Sequence, residues 1–162
     1  MYVFLAAKKI IKATVLIGMM SLFCVGAQAQ DESPKHQQED IKVAVMEVLD
    51  VFMETFNRMD VAAMESTYQF PHYRYASGKM NILEAPSGRS GESLKKAIGA
   101  EWHHSAWLRR NIIHMSDTKV HVDTEFVRYR EDGTVISRFD SLYILTKEDG
   151  RWGIKLRSSM AP

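Results

Sequence analysis

Residues 119–159 read KVHVDTEFVRYREDGTVISRFDSLYILTKEDGRWGIKLRSS, and this stretch decides the fold class. Apolar and polar residues alternate over residues 119–130, which predicts a half-buried antiparallel strand. Two Asp-Gly pairs follow, and each is typical of a hairpin turn. The turns separate two further strand patterns, at residues 134–146 and 151–159. Because the connections are short, we expect all three strands to be neighbours in one sheet.

The first of these strands has two chemically distinct faces. The face expected to be buried comprises Val120, Val122, Thr124 and Phe126, and the other comprises Lys119, His121, Asp123 and Glu125. A further strand is predicted at residues 106–115, ending in the turn Ser116-Asp117. The last third of the chain is therefore expected to consist of strands and turns alone.

The part of the chain that precedes this sheet predicts helices and a short hairpin. Apolar residues at spacings of three and four indicate an amphipathic helix from Glu39 onward. Asp60 is placed to N-cap a short second helix, and Ser90 to cap a third. Two short strands are predicted within residues 70–83, with Pro71 at a strand start or a sheet edge because it lacks a backbone N–H.

The first 29 residues have the layout of a secretory signal peptide. Lys8, Lys9 and Lys12 supply positive charge, residues 13–26 are apolar, and Ala27-Gln28-Ala29 supplies the small residues of a cleavage site. We expect cleavage before Gln30 and export to the periplasm or outside the cell. The alternative is an uncleaved N-terminal anchor, although the apolar run is shorter than the 20 or so residues of a comfortable membrane span.

The remaining chain is expected to comprise a flexible leader at residues 30–38 and one domain at residues 39–162. The full sequence has 21 Lys+Arg and 20 Asp+Glu, and removal of the three signal lysines leaves 18 against 20, a net charge of −2. This balance gives no electrostatic attraction for nucleic acid or an acidic membrane. The only cysteine, Cys24, belongs to the signal, so the domain has neither a disulfide nor a thiol nucleophile.

Several stretches of the domain resemble bacterial SnoaL-like proteins of the nuclear-transport-factor-2-like superfamily. They are FPHYRYASGK at residues 70–79, WHHSAW at 102–107, FVRYREDG at 126–133 and SLYILTKEDGRWGIKLRSSMAP at 141–162. The resemblance implies a cone-shaped α+β fold, in which three helices pack against a curved, mostly antiparallel sheet around an apolar pocket. Relatives include polyketide cyclases, ketosteroid isomerases, epoxide hydrolases and dehydratases, together with members that only bind or dimerise.

His72 and Arg74 are the first candidate ligand-binding residues. On a strand they share one face, while Tyr73 and Tyr75 occupy the other. A histidine titrates near neutral pH and an arginine presents a fixed fork of donors, so the two together suit a carboxylate or an enolate. The competing interpretation is a solvated strand face with a structural ion pair.

Asp140 is the second candidate for a catalytic base, beside His72. The strand at residues 134–146 is apolar on both faces, so we expect both faces to be covered and Asp140 to need a partner. Arg138 is the nearest candidate partner, and Arg128 or Arg157 could reach it across strands. In the functional interpretation Asp140 is a general base inside the pocket. In the structural one it is half of a buried or interfacial salt bridge.

The remaining candidates are assigned by their residue types. Trp102, Trp107 and Trp152 are expected in the core or the pocket wall, with Trp107 counted among the ligand-binding residues together with Arg157. Neighbouring His103 and His104 lack the spacing of a zinc site, and we expect no metal. No P-loop and no G-x-G-x-x-G occurs, so no nucleotide cofactor is expected.

These observations favour an exported protein with an apolar pocket for a small molecule that carries an anionic or carbonyl group. Its expected state is a homodimer formed through the exposed sheet face. One alternative is an isomerase, cyclase or dehydratase in which Asp140 or His72 abstracts a proton next to a carbonyl. The other is a dimerisation module without catalysis.

Overall fold

The structure is a computed structural model, and it describes residues 33–162. The predicted signal peptide at residues 1–29 lies outside the described residues. The helices and strands are α1 (Ser33–Asn57), α2 (Val61–Ser66), β1 (Tyr68–Ala76), β2 (Lys79–Leu83), α3 (Gly91–Ile98), β3 (His104–Met115), β4 (Lys119–Tyr129), β5 (Val135–Glu148) and β6 (Arg151–Ser159). Among residues 33–162, no helix combines the length and the apolar character that crossing a membrane requires.

Helix α1 buries one apolar stripe and exposes the rest of its surface. The stripe comprises Ile41, Val45, Leu49 and Phe52, which are at most 7% exposed. The helix begins at Ser33, so the leader expected at residues 30–38 is helical from residue 33. Residues 35–40 are exposed helical turns. They form because Lys, Gln and Glu have good helix propensity without any need for burial.

The turn between α1 and α2 is closed by the predicted cap. The Oδ1 atom of Asp60 accepts a hydrogen bond from the backbone N–H of Ala63 at 3.1 Å. This bond satisfies one of the donors that a helix N-terminus leaves unpaired. Val61 and Met64 of α2 are buried, which fixes the short helix against the domain core.

The six strands form one sheet in the order β2-β1-β6-β5-β4-β3. All neighbouring pairs are antiparallel except β1 and β6, which are parallel. The three long strands β4, β5 and β6 are neighbours, as predicted. In the turn between β5 and β6, Asp149 and Gly150 have φ angles of 51° and 79°, the left-handed pair that a two-residue hairpin favours. The α+β class is therefore confirmed.

Pro71 lies inside β1, which runs between β2 and β6, so its expected place at a strand start or sheet edge is wrong. The pairing of β1 with β6 shifts register between Tyr68 and Tyr73. A proline is tolerated at such an irregularity because no regular ladder hydrogen bond is lost there. The Phe70–Pro71 peptide bond is cis.

The two faces of the sheet differ as the alternation on β4 predicts. The inner face packs on the helices through side chains that are at most 1% exposed, namely Val120, Val122, Tyr143, Leu145 and Ile154. The outer face carries the polar side chains of β4. Helices and inner face together leave a hollow, which holds the candidate site.

Candidate functional site

A cavity of about 460 Å³ lies between the helices and the inner face of the sheet. Ligand pockets of proteins usually measure about 300–1,000 Å³. Much of the cavity wall is apolar and is supplied by the three helices. These residues include Phe52, Phe56, Val61, Met64, Leu94 and Ile98. The cavity therefore has the size and the wall of a site for a small, largely apolar molecule.

Three arginines from three strands line the same cavity: Arg74 of β1, Arg128 of β4 and Arg157 of β6. We call them the arginine cluster. Arg74 and Arg157 are directly opposite each other in the paired strands. Within residues 33–162, the Nε atom of each of the three is buried and has no hydrogen-bond partner. These Nε–H groups are buried within the wall, and the three guanidinium groups place their positive charge at one cavity.

The guanidinium groups of the cluster contact a hydroxyl, a main-chain oxygen and an aromatic ring. Arg157 donates from Nη1 to the hydroxyl of Tyr143 at 3.3 Å. Arg74 donates from Nη2 to a main-chain oxygen of Pro162 at 2.9 Å, and Arg128 lies over the ring of Phe139 at 4.9 Å.

None of the three arginines forms a salt bridge with a carboxylate of the described residues. Burial, and then the neighbouring Arg157, lower the pKa values of Arg74 and Arg128 below the usual arginine value. Like charges that share an enclosed site destabilise one another. The cluster is therefore a group of positive charges without an Asp or Glu partner among the described residues.

His72 lies beside the cluster and is 2% exposed. Its Nδ1 atom is 2.8 Å from the carbonyl oxygen of Ile154, and its ring stacks on Tyr68 at 3.8 Å between centroids. The pKa of His72 is lowered to about 4, chiefly by burial; the hydrogen bond to Ile154 opposes this shift, and nearby Arg157 and Arg74 add to it. At neutral pH the imidazole is uncharged, and because a carbonyl only accepts, the proton is on Nδ1. The lone pair is then on Nε2.

The predicted faces of β1 agree with the structure. His72 and Arg74 line the cavity, whereas Tyr75 of the opposite face is 47% exposed. Tyr68 belongs to the cavity wall too, and burial raises its pKa to about 12, so the phenol is neutral.

Asp140 is on the outer face of the sheet, which contradicts its interpretation as a general base inside the pocket and leaves the alternative of a salt bridge. On β5 the inner positions are Ser141 and Tyr143, and strand alternation turns Asp140 away from them. Its side chain is 69% exposed and accepts a hydrogen bond from Nη2 of Arg109 at 2.7 Å. None of its expected partners, Arg138, Arg128 and Arg157, makes that contact.

Arg109 joins three carboxylates on that outer face. Besides Asp140 it contacts Asp123 at 2.7 Å and Glu125 at 2.9 Å. We call these four residues the outer-face charge cluster. It lies on β3, β4 and β5, and only strand pairing brings its members together.

Trp107 belongs to the core next to the cavity and is absent from the cavity wall among the described residues. Its ring is 5.6 Å from Tyr143 and 6.4 Å from Phe52, measured between centroids. Its Nε1 donates to the carbonyl oxygen of Leu49 at 3.3 Å. The expected ligand-binding role is thus replaced by packing between α1 and the sheet.

Arg128 and Glu65 are charged cavity residues that were not among the candidate site residues. Arg128 continues the inner-face alternation that ends at Phe126, and that alternation was the signal for it. Glu65 is 4% exposed and accepts from the backbone N–H and the hydroxyl of Ser87 at 2.7 and 2.6 Å. No local pattern identifies Glu65, because its partner is on a distant loop.

Neither the neighbouring His103 and His104 nor the cross-strand pair His114 and His121 belongs to the described cavity wall. The Nδ1 atoms of His103 and His104 are 3.0 Å apart, and the rings of His114 and His121 are 5.7 Å apart. In the part of the chain that the structure describes, no group of three or more potential metal ligands is found.

A family model described as NTF2-like protein (DUF6841) matches residues 39–158. No curated protein matches the sequence. The region matched contains every residue of the arginine cluster as well as His72.

Many solved structures share the fold. An NTF2-like protein with a cystatin-like fold from Novosphingobium aromaticivorans has 11% identity and a TM-score of 0.64, covering 84% of this chain and 91% of that one. A ketosteroid isomerase-like protein from Erwinia carotovora atroseptica has 16% identity and a TM-score of 0.52, covering 73% and 93%. The association domain of C. elegans CaMKII has 14% identity and a TM-score of 0.54, covering 80% and 98%. At such identities the likeness concerns the fold alone.

Proposed function

The chain belongs to the NTF2-like family of the DUF6841 model, and from this premise we propose that it binds a small molecule with an apolar body and an anionic or carbonyl group. The single observation that carries the proposal is the arginine cluster in an otherwise largely apolar cavity. An anion desolvated in such a site gains charge-assisted hydrogen bonds that water would otherwise supply. The helices would surround the apolar body.

A second candidate function, proton abstraction next to a carbonyl, rests on His72. Its Nδ1 is engaged by Ile154, so the unprotonated Nε2 is the atom that remains to accept a proton. Arg157 and Arg74 would stabilise the enolate that forms. One solved structure of this fold is described as ketosteroid isomerase-like. Asp140 is not proposed as the base, because it lies on the other face of the sheet.

We further propose that the protein is exported and pairs with a second copy through its outer sheet face. Export is supported by the charged, apolar and small-residue segments of residues 1–29. Pairing is supported by exposed apolar side chains on that face, among them Met80 and Ile82. The full chain is expressed and the recovered protein is studied by native mass spectrometry. The mass of the subunit tests cleavage of the signal, and the mass of the assembly tests pairing.

One experiment tests binding and proton abstraction together. The probe is 2-oxooctanoate, which combines an apolar tail, a carbonyl and a carboxylate, titrated in deuterated buffer and followed by NMR. We expect saturable shifts with the wild-type protein. Binding should weaken at least about tenfold in Arg128→Gln and Arg157→Gln, because each loses a charge-assisted bond. Arg138→Gln is the matched control, since Arg138 is exposed on the outer face.

The same spectra report the chemistry. If His72 abstracts protons, the signal of the methylene next to the carbonyl disappears with wild-type protein and persists with His72→Asn. If the probe binds and its methylene signal persists with the wild-type protein, proton abstraction is rejected and the binding function remains. Absence of saturable binding at millimolar probe would overturn the proposed function.

A further inference from the structure

The positive charge of the cavity side chains is larger than a ligand with a single carboxylate would balance. Among the described lining residues, the side chains of Arg74, Arg89, Arg128 and Arg157 are opposed by a single side-chain carboxylate, that of Glu65. Glu65 is already engaged by two hydrogen bonds from Ser87. The side chains that line the cavity therefore carry an excess of about three positive charges, given that arginine is always protonated.

The donors of the cavity come from three directions. Arg74, Arg128 and Arg157 belong to three different strands, and in each the buried Nε–H has no acceptor within residues 33–162. Three guanidinium groups at one cavity suit a ligand with several acceptors, because each guanidinium carries several N–H donors in a fixed fork. A planar carboxylate has two oxygens, whereas a tetrahedral phosphoryl group presents three.

We propose that the anionic group recognised by the arginine cluster is a phosphate monoester dianion at the end of the apolar body. This inference rests on the proposed function and names the class of its ligand. A monoanion would neutralise one guanidinium and leave the others repelling each other in a site of low dielectric constant. A phosphate monoester carries a charge of about −1.5 to −2 at neutral pH and forms bidentate contacts with arginine.

The apolar part of the ligand has its place in the same cavity. Phe52 and Tyr143 lie under the guanidinium of Arg157, at 5.5 and 5.7 Å from their ring centroids. Farther along the wall, Phe56 of α1 and Leu94 of α3 provide apolar surface. An alkyl or aryl phosphate fits this division, with the head at the sheet and the tail between the helices.

The test compares two probes of the same shape and different charge. Octyl phosphate is a dianion at about pH 7.5, and octyl sulfate has the same tail and three terminal oxygens but one charge. We expect calorimetric titration to give a dissociation constant at least about tenfold lower for octyl phosphate. The second pKa of a phosphate monoester is about 6, so at about pH 5.5 most of the octyl phosphate has gained a proton and carries one charge. The ratio of the two dissociation constants should then fall towards one.

Substitutions in the arginine cluster test whether these arginines cause the preference for octyl phosphate over octyl sulfate. Arg128→Gln and Arg157→Gln should each reduce the preference for phosphate over sulfate, and Arg138→Gln should preserve it. Circular dichroism checks that each variant is folded, and Arg128→Gln keeps the test decisive if Arg157→Gln does not fold. His72 stays uncharged over this pH interval because its pKa is about 4, so the change in ratio reports the probe.

The outcomes separate the two proposals. Equal affinities for octyl phosphate and octyl sulfate at about pH 7.5 would overturn the dianion inference and leave the binding function intact. If neither probe binds and 2-oxooctanoate does not bind either, the proposed function itself fails. Tighter binding of octyl phosphate that the arginine variants leave unchanged would also contradict the inference, since the head would then lie elsewhere.

Discussion

At the scale of single residues, position along a strand sets the chemistry of His72 and Asp140. Both are ionisable side chains on long strands, yet His72 faces the helices and is 2% exposed, while the side chain of Asp140 is 69% exposed. His72 is uncharged because its surroundings cannot solvate an imidazolium. Asp140 keeps its charge and pairs with Arg109 in solvent, where an ion pair contributes little to stability.

His72 makes the stability of the protein depend on pH. Its folded-state pKa is lowered to about 4, whereas the unfolded chain titrates near 6.5, so below pH 6.5 the unfolded state binds a proton that the native state does not. Stability should therefore decrease as the pH falls from 6.5 towards 4. Between about pH 7.5 and 5 the expected loss from this group is about 2 kcal/mol. Urea denaturation at several pH values measures it.

The control is His72→Asn, whose amide can still donate to Ile154. Its unfolding free energy should change less over the same pH interval than that of the wild-type protein. His121, also lowered in pKa by burial, remains in both proteins and cancels in the comparison. Identical pH profiles would mean that His72 is not buried in its neutral form.

At the scale of elements, α3 is attached to the domain much more loosely than the other helices. None of its side chains is buried, and Ser90 caps it by accepting from the N–H of Ser93 at 3.2 Å. The helix ends where Gly99 adopts a φ of 120°, a backbone conformation that is unfavourable for residues other than glycine. Its inner positions Leu94 and Ile98 nevertheless line the cavity. A ligand would therefore add the packing that α3 lacks.

We expect hydrogen exchange to show this directly. In the free protein the amides of α3 should exchange far faster than those of β4, because few contacts oppose local unfolding. Saturation with octyl phosphate or 2-oxooctanoate should slow exchange in α3 and leave β4 unchanged. Mass spectrometry of peptides covering residues 89–100 and 119–129 measures both. Exchange in α3 as slow as in β4 without probe would contradict the expectation.

Ser90→Ala provides the matched variant for this helix. Loss of the cap costs about 1 kcal/mol, which corresponds to about fivefold faster exchange in α3. Global unfolding should change little, since the core on α1 and the sheet is untouched. A large drop in global stability would show that α3 is part of the cooperative unit.

At the scale of the whole molecule, the outer sheet face combines apolar and charged regions. Tyr75, Met80 and Ile82 on β1 and β2 are 47–52% exposed. The outer-face charge cluster, built around Arg109, occupies β3 to β5 and has three carboxylates around one guanidinium. Large exposed apolar groups beside polar ones are typical of protein interfaces. A second copy of the chain is the occupant that we propose.

Native mass spectrometry should give a dimer whose subunit begins at Gln30. Ile82→Glu places a charge in the apolar region and should shift the assembly to monomer. Val43→Glu is the control, because Val43 is 67% exposed on α1, away from the sheet. A monomeric wild-type protein would reject the pairing, and a subunit that retains residues 1–29 would reject cleavage of the signal.

How much was predictable depends on whether a property is local. Alternation and turn residues placed β4, β5 and β6 within one or two residues, and Asp60 and Ser90 capped the helices expected of them. The same alternation indicated that His72 and Arg74 share a face. The start of α1 was misjudged because polar residues 33–38 give no amphipathic signal, although they form helix well.

The sequence by itself determined the elements, the alternation of faces and the α+β class, because these depend on neighbours along the chain. Only the tertiary structure decided which face of each strand the helices cover. That choice put Asp140 in solvent with Arg109 and brought Arg74, Arg128 and Arg157 from three strands into one cavity. Contacts between residues so far apart in the chain depend on strand order and on the curvature of the sheet. No local pattern records either of them.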